Sequence, residues 1–293
     1  MPEGASLTAE IVCYFRAVER HRPPAERVLD DPYAERFLSR RWQRVAASPV
    51  ARAALLPSVA IGVGGLQSFI AARHRFMDDR LAAFLASGGE QVVILGAGYD
   101  TRALRFADAL AGRPIFEVDF PATQAQKKRL VHKRIPEAAA LTTYLPVDFE
   151  HDRLEDALAA SPIGRGARTF FVWEGVVMYL TPETVRGTLA ALRAVGGPGS
   201  ELVLDLWSQP TGPGLGALGR RLGSRLLAGI GEPLHFSLTA AAAPAFFAES
   251  GWPTVDVLDS PALSAHYAMG KRPVYPDNAV VHARVAHAPG FGA

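Results

Sequence analysis

Residues 92–101 read Val92-Val93-Ile94-Leu95-Gly96-Ala97-Gly98-Tyr99-Asp100-Thr101, an apolar run that leads into two glycines. A β-branched apolar run predicts a buried strand, and the glycines after it predict a tight turn that brings backbone close to a ligand. A dinucleotide-binding turn shares the first two glycines, but Thr101 stands here in place of its third glycine. That difference counts against a nicotinamide cofactor. A tight turn with no ligand stays open, because many α/β proteins contain one.

Strand-like and helix-like segments alternate after this turn. The predicted strands are residues 92–95, 115–118, 141–147, 169–173 and 202–206. The predicted helices between them lie near 101–110, 121–134, 151–160 and 182–195. Such alternation predicts an α/β fold, in which helices cover both faces of a mostly parallel sheet.

The part of the chain before the turn is predicted to be mainly helical, from residue 7 to about 87. Between residues 66 and 85, apolar side chains recur at spacings of three and four, which indicates one apolar face of a long helix that ends at Gly88-Gly89. Residues 53–72 carry no charge and could span a bilayer in length, but Pro57 and three glycines interrupt them. We expect a loop that leads into the helix, and no membrane partner.

Composition limits the function classes. The chain has 31 Lys and Arg residues against 29 Asp and Glu residues, a net charge of +2, so nucleic acid is not expected as a partner. A hydrophobic content of 49% suits one elaborated domain. The single cysteine, Cys13, cannot form an internal disulfide, and the first residues lack a signal-peptide pattern, so we expect a cytoplasmic location. No pattern indicates an oligomeric state.

Carboxylates follow three of the predicted strands, at the edge where open parallel sheets bind ligands. Asp119 can accept hydrogen bonds from both ribose hydroxyls of an adenosine-containing cofactor, or it can cap the helix that begins near Pro121. Asp148 can bond an adenine amino group, and Phe149 can flank the base. Glu174 can pair with an ammonium group of the cofactor.

Arg73 lies on the apolar stripe of the long helix, between Phe69 and Met77. A buried arginine needs a partner. That partner is either a protein carboxylate or the carboxylate of a ligand, which a planar guanidinium can bind in a bidentate manner. The sequence leaves both alternatives open.

Basic residues cluster on the predicted helix 121–134. They are Lys127, Lys128, Arg129, Lys133 and Arg134. Charge clusters on helices are usually solvated, so we expect a surface here and not an anion site.

Six ordered motifs extend over most of the chain. They are Asp30-Asp31-Pro32-Tyr33-Ala34, Ala72-Arg73-His74-Arg75-Phe76-Met77-Asp78-Asp79, Leu95-Gly96-Ala97-Gly98-Tyr99-Asp100-Thr101-Arg102, Glu117-Val118-Asp119-Phe120-Pro121-Ala122-Thr123-Gln124, Trp173-Glu174-Gly175-Val176-Val177-Met178-Tyr179-Leu180 and Gly231-Glu232-Pro233-Leu234. Together they resemble the leucine carboxyl methyltransferase family, whose bacterial branch includes O-methyltransferases of small molecules and polyketides. The resemblance implies a class I methyltransferase fold, Rossmann-like, with a seven-stranded mostly parallel sheet, an N-terminal helical extension and a helical lid.

The resemblance also implies S-adenosylmethionine as the cofactor and a role for each candidate residue. Arg73 is expected to bind the methionine carboxylate, Glu174 the methionine amino group and Asp119 the ribose. The other expected cofactor-binding residues are Gly96, Gly98, Asp100 and Phe120 in the turns and Asp148 and Phe149 at the adenine. The family member that acts on phosphatases uses a lysine near its N-terminus for the cofactor. This chain has no lysine before Lys127, which counts against a phosphatase tail as substrate.

The motifs divide the expected single domain, residues 1–293, into four parts. These are an N-terminal helical cover (1–89), a cofactor-binding core (90–206), a lid or substrate insertion rich in Gly and Pro (207–238) and a C-terminal part (239–293). The C-terminal part is predicted to hold a helix near 239–250 and strands near 253–258 and 279–285.

The expected reaction is methyl transfer to an oxygen of a small-molecule acceptor in secondary metabolism. The acceptor oxygen belongs to a carboxylate or to a phenol or enol hydroxyl. Charges partly cancel when a sulfonium meets an anionic oxygen, so alignment and exclusion of water are the main requirements, and no metal is expected. For a hydroxyl acceptor, His235 is a candidate catalytic base and Tyr179 a candidate acceptor contact. The alternatives are an ordinary loop histidine and a tyrosine that only packs.

Two other functions stay open on the sequence alone. One is a nicotinamide-dependent reductase that uses the same glycine turn. The other is a non-catalytic binding module, against which the expected buried charges of Arg73, Asp119 and Glu174 count, because buried charges without ligands destabilise a fold.

Overall fold

The computed structural model describes residues 7–52, 65–149, 151–208 and 234–285, and the strands in these ranges form one sheet. The strands are β1 (Gln91–Leu95), β2 (Ile115–Asp119), β3 (Thr143–Pro146), β4 (Thr169–Trp173), β5 (Glu201–Trp207), β6 (Thr254–Asp259) and β7 (Asn278–Arg284). They lie in the order β3-β2-β1-β4-β5-β7-β6. All seven predicted strands are confirmed, and their ends differ from the prediction by at most 2 residues.

Strand direction determines where a ligand can bind. The five strands from β3 to β5 in the sheet are parallel to one another, whereas β7 is antiparallel to both β5 and β6. Strand β1 pairs with β2 on one side and with β4 on the other, so Leu95 lies between Val118 and Trp173. The strand order reverses at this point, and open sheets bind ligands in the crevice at the carboxyl ends of such strands. The glycine turn after β1 begins in that crevice.

Helices cover both faces of the sheet, as the alternating pattern predicts. In chain order they are α1 (Leu7–Glu19), α2 (Ala34–Phe37), α3 (Arg40–Ala47), α4 (Leu66–Ala86), α5 (Arg102–Arg105), α6 (Ala107–Leu110), α7 (Pro121–Arg134), α8 (Leu154–Ala159), α9 (Pro182–Val195), α10 (Ala243–Glu249) and α11 (Ser260–His266). In β1, Val93 and Leu95 face the core that contains α8, α9 and α10, whereas Val92 and Ile94 face α4 and α11. This alternation is the two-residue period of a strand buried on both faces.

The N-terminal helices form a further layer with its own core. Helices α1, α2 and α3 pack together with Tyr99 of the glycine turn and Val131 of α7. The long predicted helix is confirmed as α4. Residues 7–52 form several shorter helices, because Pro23, Pro24 and Pro32 lack the amide hydrogens that a continuous helix needs.

Helix α11 is an element that the sequence pattern did not predict. Its cap is Asp259, whose Oδ1 accepts a hydrogen bond from the amide of Ala262 at 2.9 Å, and Pro261 lies in its first turn. These are ordinary helix-start signals. A helix of 7 residues offers too few positions for an apolar stripe to be visible in the sequence.

Two predicted segments fall mainly outside the described residues. Most of the expected lid, residues 207–238, lies in 209–233, and part of the uncharged run lies in 53–64. Among the described residues, no helix has the length and apolar character that crossing a membrane requires.

The glycine turn is fixed by backbone conformation and by a close contact. Gly96 and Gly98 have φ angles of +62° and +47°, in the left-handed region that favours glycine. A Cβ on Gly96 would lie 2.1 Å from Cγ2 of Val176. A Cβ on Gly98 would lie 3.4 Å from the Cβ of Ala9. Gly96 therefore lets the turn pack directly against the loop that follows β4.

Gly96→Ala is expected to lower the free energy of unfolding by about 1–3 kcal/mol more than Gly112→Ala does. Gly112 is a matched control, since its φ of +80° is also left-handed but no neighbouring atom of the described residues lies within 4 Å of a Cβ there. Urea unfolding of both variants measures the difference. Equal losses would show that backbone strain alone, and not contact with Val176, accounts for the glycine.

Candidate functional site

A cavity of about 140 Å³ lies where the carboxyl ends of the parallel strands meet the N-terminal helices. Every residue of the expected cofactor-binding set lines it. These residues are Arg73, Gly96, Gly98, Asp100, Asp119, Phe120, Asp148, Phe149 and Glu174. Helix α1 adds Thr8, Ala9, Val12 and Arg16, which the sequence reasoning did not include.

Asp119 ends β2 and faces the glycine turn. Its Oδ2 accepts a hydrogen bond from the amide of Gly98 at 2.6 Å, and its Oδ1 accepts one from the amide of Phe120 at 2.7 Å. The cap residue of α7 is Phe120, one residue after Asp119, so Asp119 binds the amide of the cap residue and is not the cap residue itself. Burial raises the pKa of Asp119 to about 6, despite the two amide donors.

Asp148 and Phe149 lie just beyond β3, at the same cavity edge as Asp119. Both side chains are half-buried, and Phe149 packs against the core on the α8 side of the sheet. Asp148 Oδ2 lies 3.0 Å from Nδ1 of the exposed His151. A carboxylate and an aromatic ring thus stand side by side at the mouth of the cavity.

Arg73 has protein partners as well as a place at the cavity, so the first of the two alternatives left open by the sequence is realised. Its Nε donates to Glu174 Oε1 at 2.9 Å, and its Nη1 donates to Asp205 Oδ2 at 2.8 Å. The side chain is 2% exposed. Glu174 directly follows β4 and Asp205 lies in β5, so both carboxylates are more than 100 residues along the chain from Arg73.

Glu174 is surrounded by donors. Besides Arg73, His74 Nδ1 lies 2.9 Å from Glu174 Oε2, and Arg102 Nη2 donates to the same oxygen at 2.8 Å. Burial by itself raises the pKa of Glu174, but His74 and the guanidinium groups of Arg102 and Arg73 outweigh it and hold that pKa well below its usual range. Glu174 is therefore ionised, and it holds Arg73 and Arg102 together without a ligand.

The tautomer of His74 follows from its neighbours. The ionised carboxylate of Glu174, 2.9 Å from Nδ1, can only accept, and Arg105 Nη2, 2.8 Å from Nε2, can only donate, so Nδ1 carries the hydrogen and Nε2 is the acceptor. Arg102 Nη2, which lies 3.1 Å from Nδ1, donates to Glu174 instead. Burial, and then the charge of Arg102, lower the pKa of His74. His74 is thus a neutral bridge between Arg105 and Glu174.

Arg102 connects three segments of the site. Its Nε donates to Asp78 Oδ1 at 2.8 Å, its Nη2 donates to Glu174, and its Nη1 donates to Asp100. The side chain is fully buried. Burial alone would lower the pKa of Arg102, but the three carboxylates raise it, so the cation is permanent. Sequence reasoning gave Arg102 no role, although it directly follows the glycine turn and ends one of the six motifs.

Asp100, His74 and Glu174 have the donor atoms of a metal site. One atom of each lies within 4.8 Å of the others. However, the guanidinium of Arg102 donates to both carboxylates, and its Nη2 lies 3.1 Å from Nδ1 of His74. These groups already share one cation, which is the arginine.

Thr101 explains why the third glycine of a dinucleotide turn is absent. Its hydroxyl donates to Asp31 Oδ2 at 2.8 Å and accepts from Arg105 Nε at 2.9 Å. Asp31 also accepts from Arg16 Nη1 at 2.8 Å, and Arg16 Nη2 donates to the carbonyl of Tyr99 at 2.5 Å. The turn is thereby bonded to the N-terminal layer. Helix α1 contributes the cation Arg16 to the cavity, although the N-terminal part of the chain has no lysine.

The expectation for the basic cluster on α7 is wrong for Lys127. Lys127 is 3% exposed, and its Nζ donates to Glu117 Oε2 of β2 at 2.5 Å. Burial raises the pKa of Glu117 to about 7 in spite of Lys127. Lys128, Arg129 and Lys133 are exposed, as expected. The spacing of apolar residues could not show that Lys127 is buried and its neighbours are exposed, because α7 has few apolar residues to mark its buried face.

The two candidate catalytic residues have different positions. Tyr179 lines the cavity and is half-buried. His235 is exposed and is not among the lining residues; its amide donates to the carbonyl of Met178 at 2.8 Å. The position of His235 thus gives a role as base no support and fits the ordinary loop histidine.

Comparison with known proteins identifies the family of this fold and site. The leucine carboxyl methyltransferase family model matches residues 9–193. The chain belongs to the leucine carboxyl methyltransferase family. A Frankia alni protein, provisionally assigned as an S-adenosyl-L-methionine-dependent methyltransferase, is 34% identical over 211 residues, which cover 71% of this chain and 72% of that protein. A protein of Mycobacterium sp. strain KMS with the same provisional assignment is 32% identical over 212 residues, 70% of this chain and 68% of that protein.

Solved structures agree with the class I methyltransferase fold of the family. A DUF574 family protein from Streptomyces avermitilis is similar with a TM-score of 0.60 and 17% identity, over 97% of this chain and 98% of that one. A Thermobifida fusca protein, provisionally assigned as a methyltransferase, is similar with a TM-score of 0.56 and 15% identity, over 94% of each chain. At these identities the likeness concerns the fold. The class I methyltransferase architecture expected from the sequence is thus confirmed.

Arg102→Met is expected to lower the free energy of unfolding by about 3–5 kcal/mol, because it leaves three buried carboxylates without their shared cation. Arg75→Met is the control: it removes an ion pair to Asp79 in which the side chains are 47% and 41% exposed, so a loss below about 1 kcal/mol is expected. Chemical denaturation at neutral pH measures both. Similar small losses in the two variants would contradict the central place of Arg102.

Proposed function

We propose that this protein is an S-adenosylmethionine-dependent O-methyltransferase whose acceptor is a small molecule, such as a polyketide or another secondary metabolite. The acceptor atom is a carboxylate oxygen or a phenol or enol hydroxyl. The observation that carries the proposal is the meeting of Asp119, the glycine turn and Arg73 at one cavity, in a chain of the leucine carboxyl methyltransferase family. No observation favours the nicotinamide-dependent alternative.

The residues at the cavity fit the parts of this cofactor. A carboxylate has about four acceptor sites, and the amides of Gly98 and Phe120 use two of those on Asp119. Each oxygen of Asp119 can therefore accept one ribose hydroxyl. The absence of a side chain at Gly96 and Gly98 leaves the turn low enough for the nucleoside to lie over it. Asp148 and Phe149 line the same cavity, and we assign them to the amino group and the face of the adenine.

The buried cations and carboxylates at the cavity are assigned to the amino-acid end of the cofactor. Arg73 is assigned to the methionine carboxylate, and Arg16 is a second cation at the same cavity. Glu174 is assigned to the methionine ammonium, which has to share its oxygens with Arg73, His74 and Arg102. Because those donors already fix the carboxylate in place, it needs little reorganisation when the ligand binds.

The cofactor supplies an electrophilic methyl group, which passes to the acceptor oxygen while the carbon–sulfur bond breaks and the sulfur becomes a neutral thioether. The protein holds both ends of the donor, Asp119 at the ribose and Arg73 at the carboxylate, which fixes the line of approach. Such positioning can contribute about 7–11 kcal/mol to a barrier reduction. Val12 and Val176 give the cavity apolar walls that exclude water. A carboxylate acceptor has no proton to lose, so no base is required.

Affinity for S-adenosylhomocysteine is expected to fall as the pH is lowered through about 6, the pKa of Asp119. Below that pH the free protein holds a proton on Asp119 that ribose binding has to release, so affinity drops by up to about tenfold per pH unit and levels off above pH 7. Calorimetric titrations between pH 5 and 8 test this. Asp119→Asn should bind weakly with no step near pH 6, and a wild-type affinity that is flat across the range would contradict the role of Asp119.

Transfer to oxygen is expected in a panel of aromatic acceptors that differ only in one substituent: a carboxylic acid, a phenol and an amine. The purified protein is incubated with S-adenosylmethionine carrying a labelled methyl group. Mild alkali releases labelled methanol from a methyl ester but not from a methyl ether, which separates the two oxygen acceptors. Label on the amine and on neither oxygen would refute O-methylation.

A further inference from the structure

Asp205 is a buried carboxylate at the site that the proposed function does not use. It lies in β5, and the β4–β5 register pairs Trp173 with Leu204, so Asp205 is the neighbour of Glu174 in the adjacent strand. Its side chain is fully buried. It does not line the cavity, which means that any influence on a ligand passes through another residue.

Asp205 accepts hydrogen bonds from the loop after β4, from helix α4 and from its own strand. Its Oδ1 accepts from the amide of Gly175 at 2.6 Å. Its Oδ2 accepts from Arg73 Nη1 and from Trp207 Nε1, both at 2.8 Å. Three donors from three directions leave the carboxylate one orientation.

That orientation determines which edge of Arg73 faces the cavity. Glu174 holds Nε and Asp205 holds Nη1, so two of the three nitrogens of the guanidinium are engaged from the strand side. Among the described residues, Nη2 has neither a hydrogen bond nor an ion pair. It lies beside Gly175, where a Cβ would stand 3.4 Å from it, and both Arg73 and Gly175 line the cavity.

We propose that Asp205 is a positioning residue, which turns the Nη2 edge of Arg73 toward the methionine carboxylate of the cofactor. The inference rests on the proposed function, since it takes the cofactor and the role of Arg73 from there. With Glu174 alone, the guanidinium could rotate about its single anchored nitrogen. The second anchor at Nη1 removes that freedom before the ligand arrives, which is the condition for a strong directional hydrogen bond.

The test compares two ligands that differ only at the amino-acid end. S-adenosylhomocysteine has the methionine-like carboxylate, and 5′-methylthioadenosine shares the nucleoside and sulfur but lacks it. Asp205→Asn places an amide nitrogen or a neutral oxygen against Arg73. It is expected to weaken S-adenosylhomocysteine binding by about tenfold or more, the loss of one well-oriented charged hydrogen bond, while 5′-methylthioadenosine binding changes less than about twofold.

Glu201→Gln is the matched control variant. Glu201 is a buried carboxylate in the same strand, but its partners are His282 and Arg284 at the opposite end of β5. Its removal should reduce thermal stability as Asp205→Asn does and leave the ratio of the two affinities at the wild-type value. A loss of stability by itself is therefore not expected to change the ratio of the two affinities.

The outcomes separate the inference from the proposed function. Equal losses for both ligands in Asp205→Asn, or no loss for either, would overturn the positioning role. A wild-type protein that binds neither ligand would refute the proposed function instead. If Asp205→Asn does not fold, Trp207→Phe removes only one of the three donors to Asp205. It should lower the affinity for S-adenosylhomocysteine relative to 5′-methylthioadenosine, and an unchanged ratio would again overturn the inference.

Discussion

The guanidinium of Arg102 is the group on which the arrangement of the site depends. It donates to Asp78 of α4, to Asp100 of the glycine turn and to Glu174 after β4, so one cation joins helix α4 to two strand ends. Buried ion pairs of this kind contribute little net stability, because desolvation offsets their attraction. What they provide is geometry, since each carboxylate is satisfied only when all three segments stand in one arrangement. The direction in which Glu174 faces the cavity follows from that arrangement, and Glu174 in turn holds Nε of Arg73.

The N-terminal helices are part of the site because the turn is bonded to them. Thr101 takes the place at which a dinucleotide turn has glycine, and its hydroxyl reaches Asp31, which in turn holds Arg16 of α1. A glycine there could not make this connection. The motif at residues 95–102 and the motif at residues 30–34 thus contact each other, through Thr101 and Asp31. Helix α1 consequently forms a wall of the cavity that the sheet alone does not supply.

Much of the fold and part of the site could be predicted from the sequence, for a physical reason. Strands buried on both faces appear as apolar runs in the sequence. A carboxylate at the end of such a run, as at Asp119 and Glu174, indicates a functional group, because burying an unpaired charge costs free energy. The same contrast could have shown Asp205 inside a strand and Arg16 inside the stripe of α1. The partners of Arg102 could not be predicted, because they come from segments whose approach depends on the packed fold. Lys127 was misplaced because its partner Glu117 lies on another element.

The most direct measurement is a crystal structure of the protein with S-adenosylhomocysteine. We expect the ribose hydroxyls on Asp119 and the amino-acid carboxylate on the Nη2 edge of Arg73. Arg102 should keep its bonds to Asp78, Asp100 and Glu174, because the network is organised before the ligand binds. A ligand bound elsewhere, or a Glu174 that leaves Arg102 to reach the ligand, would contradict the claim that one buried cation organises the site in advance.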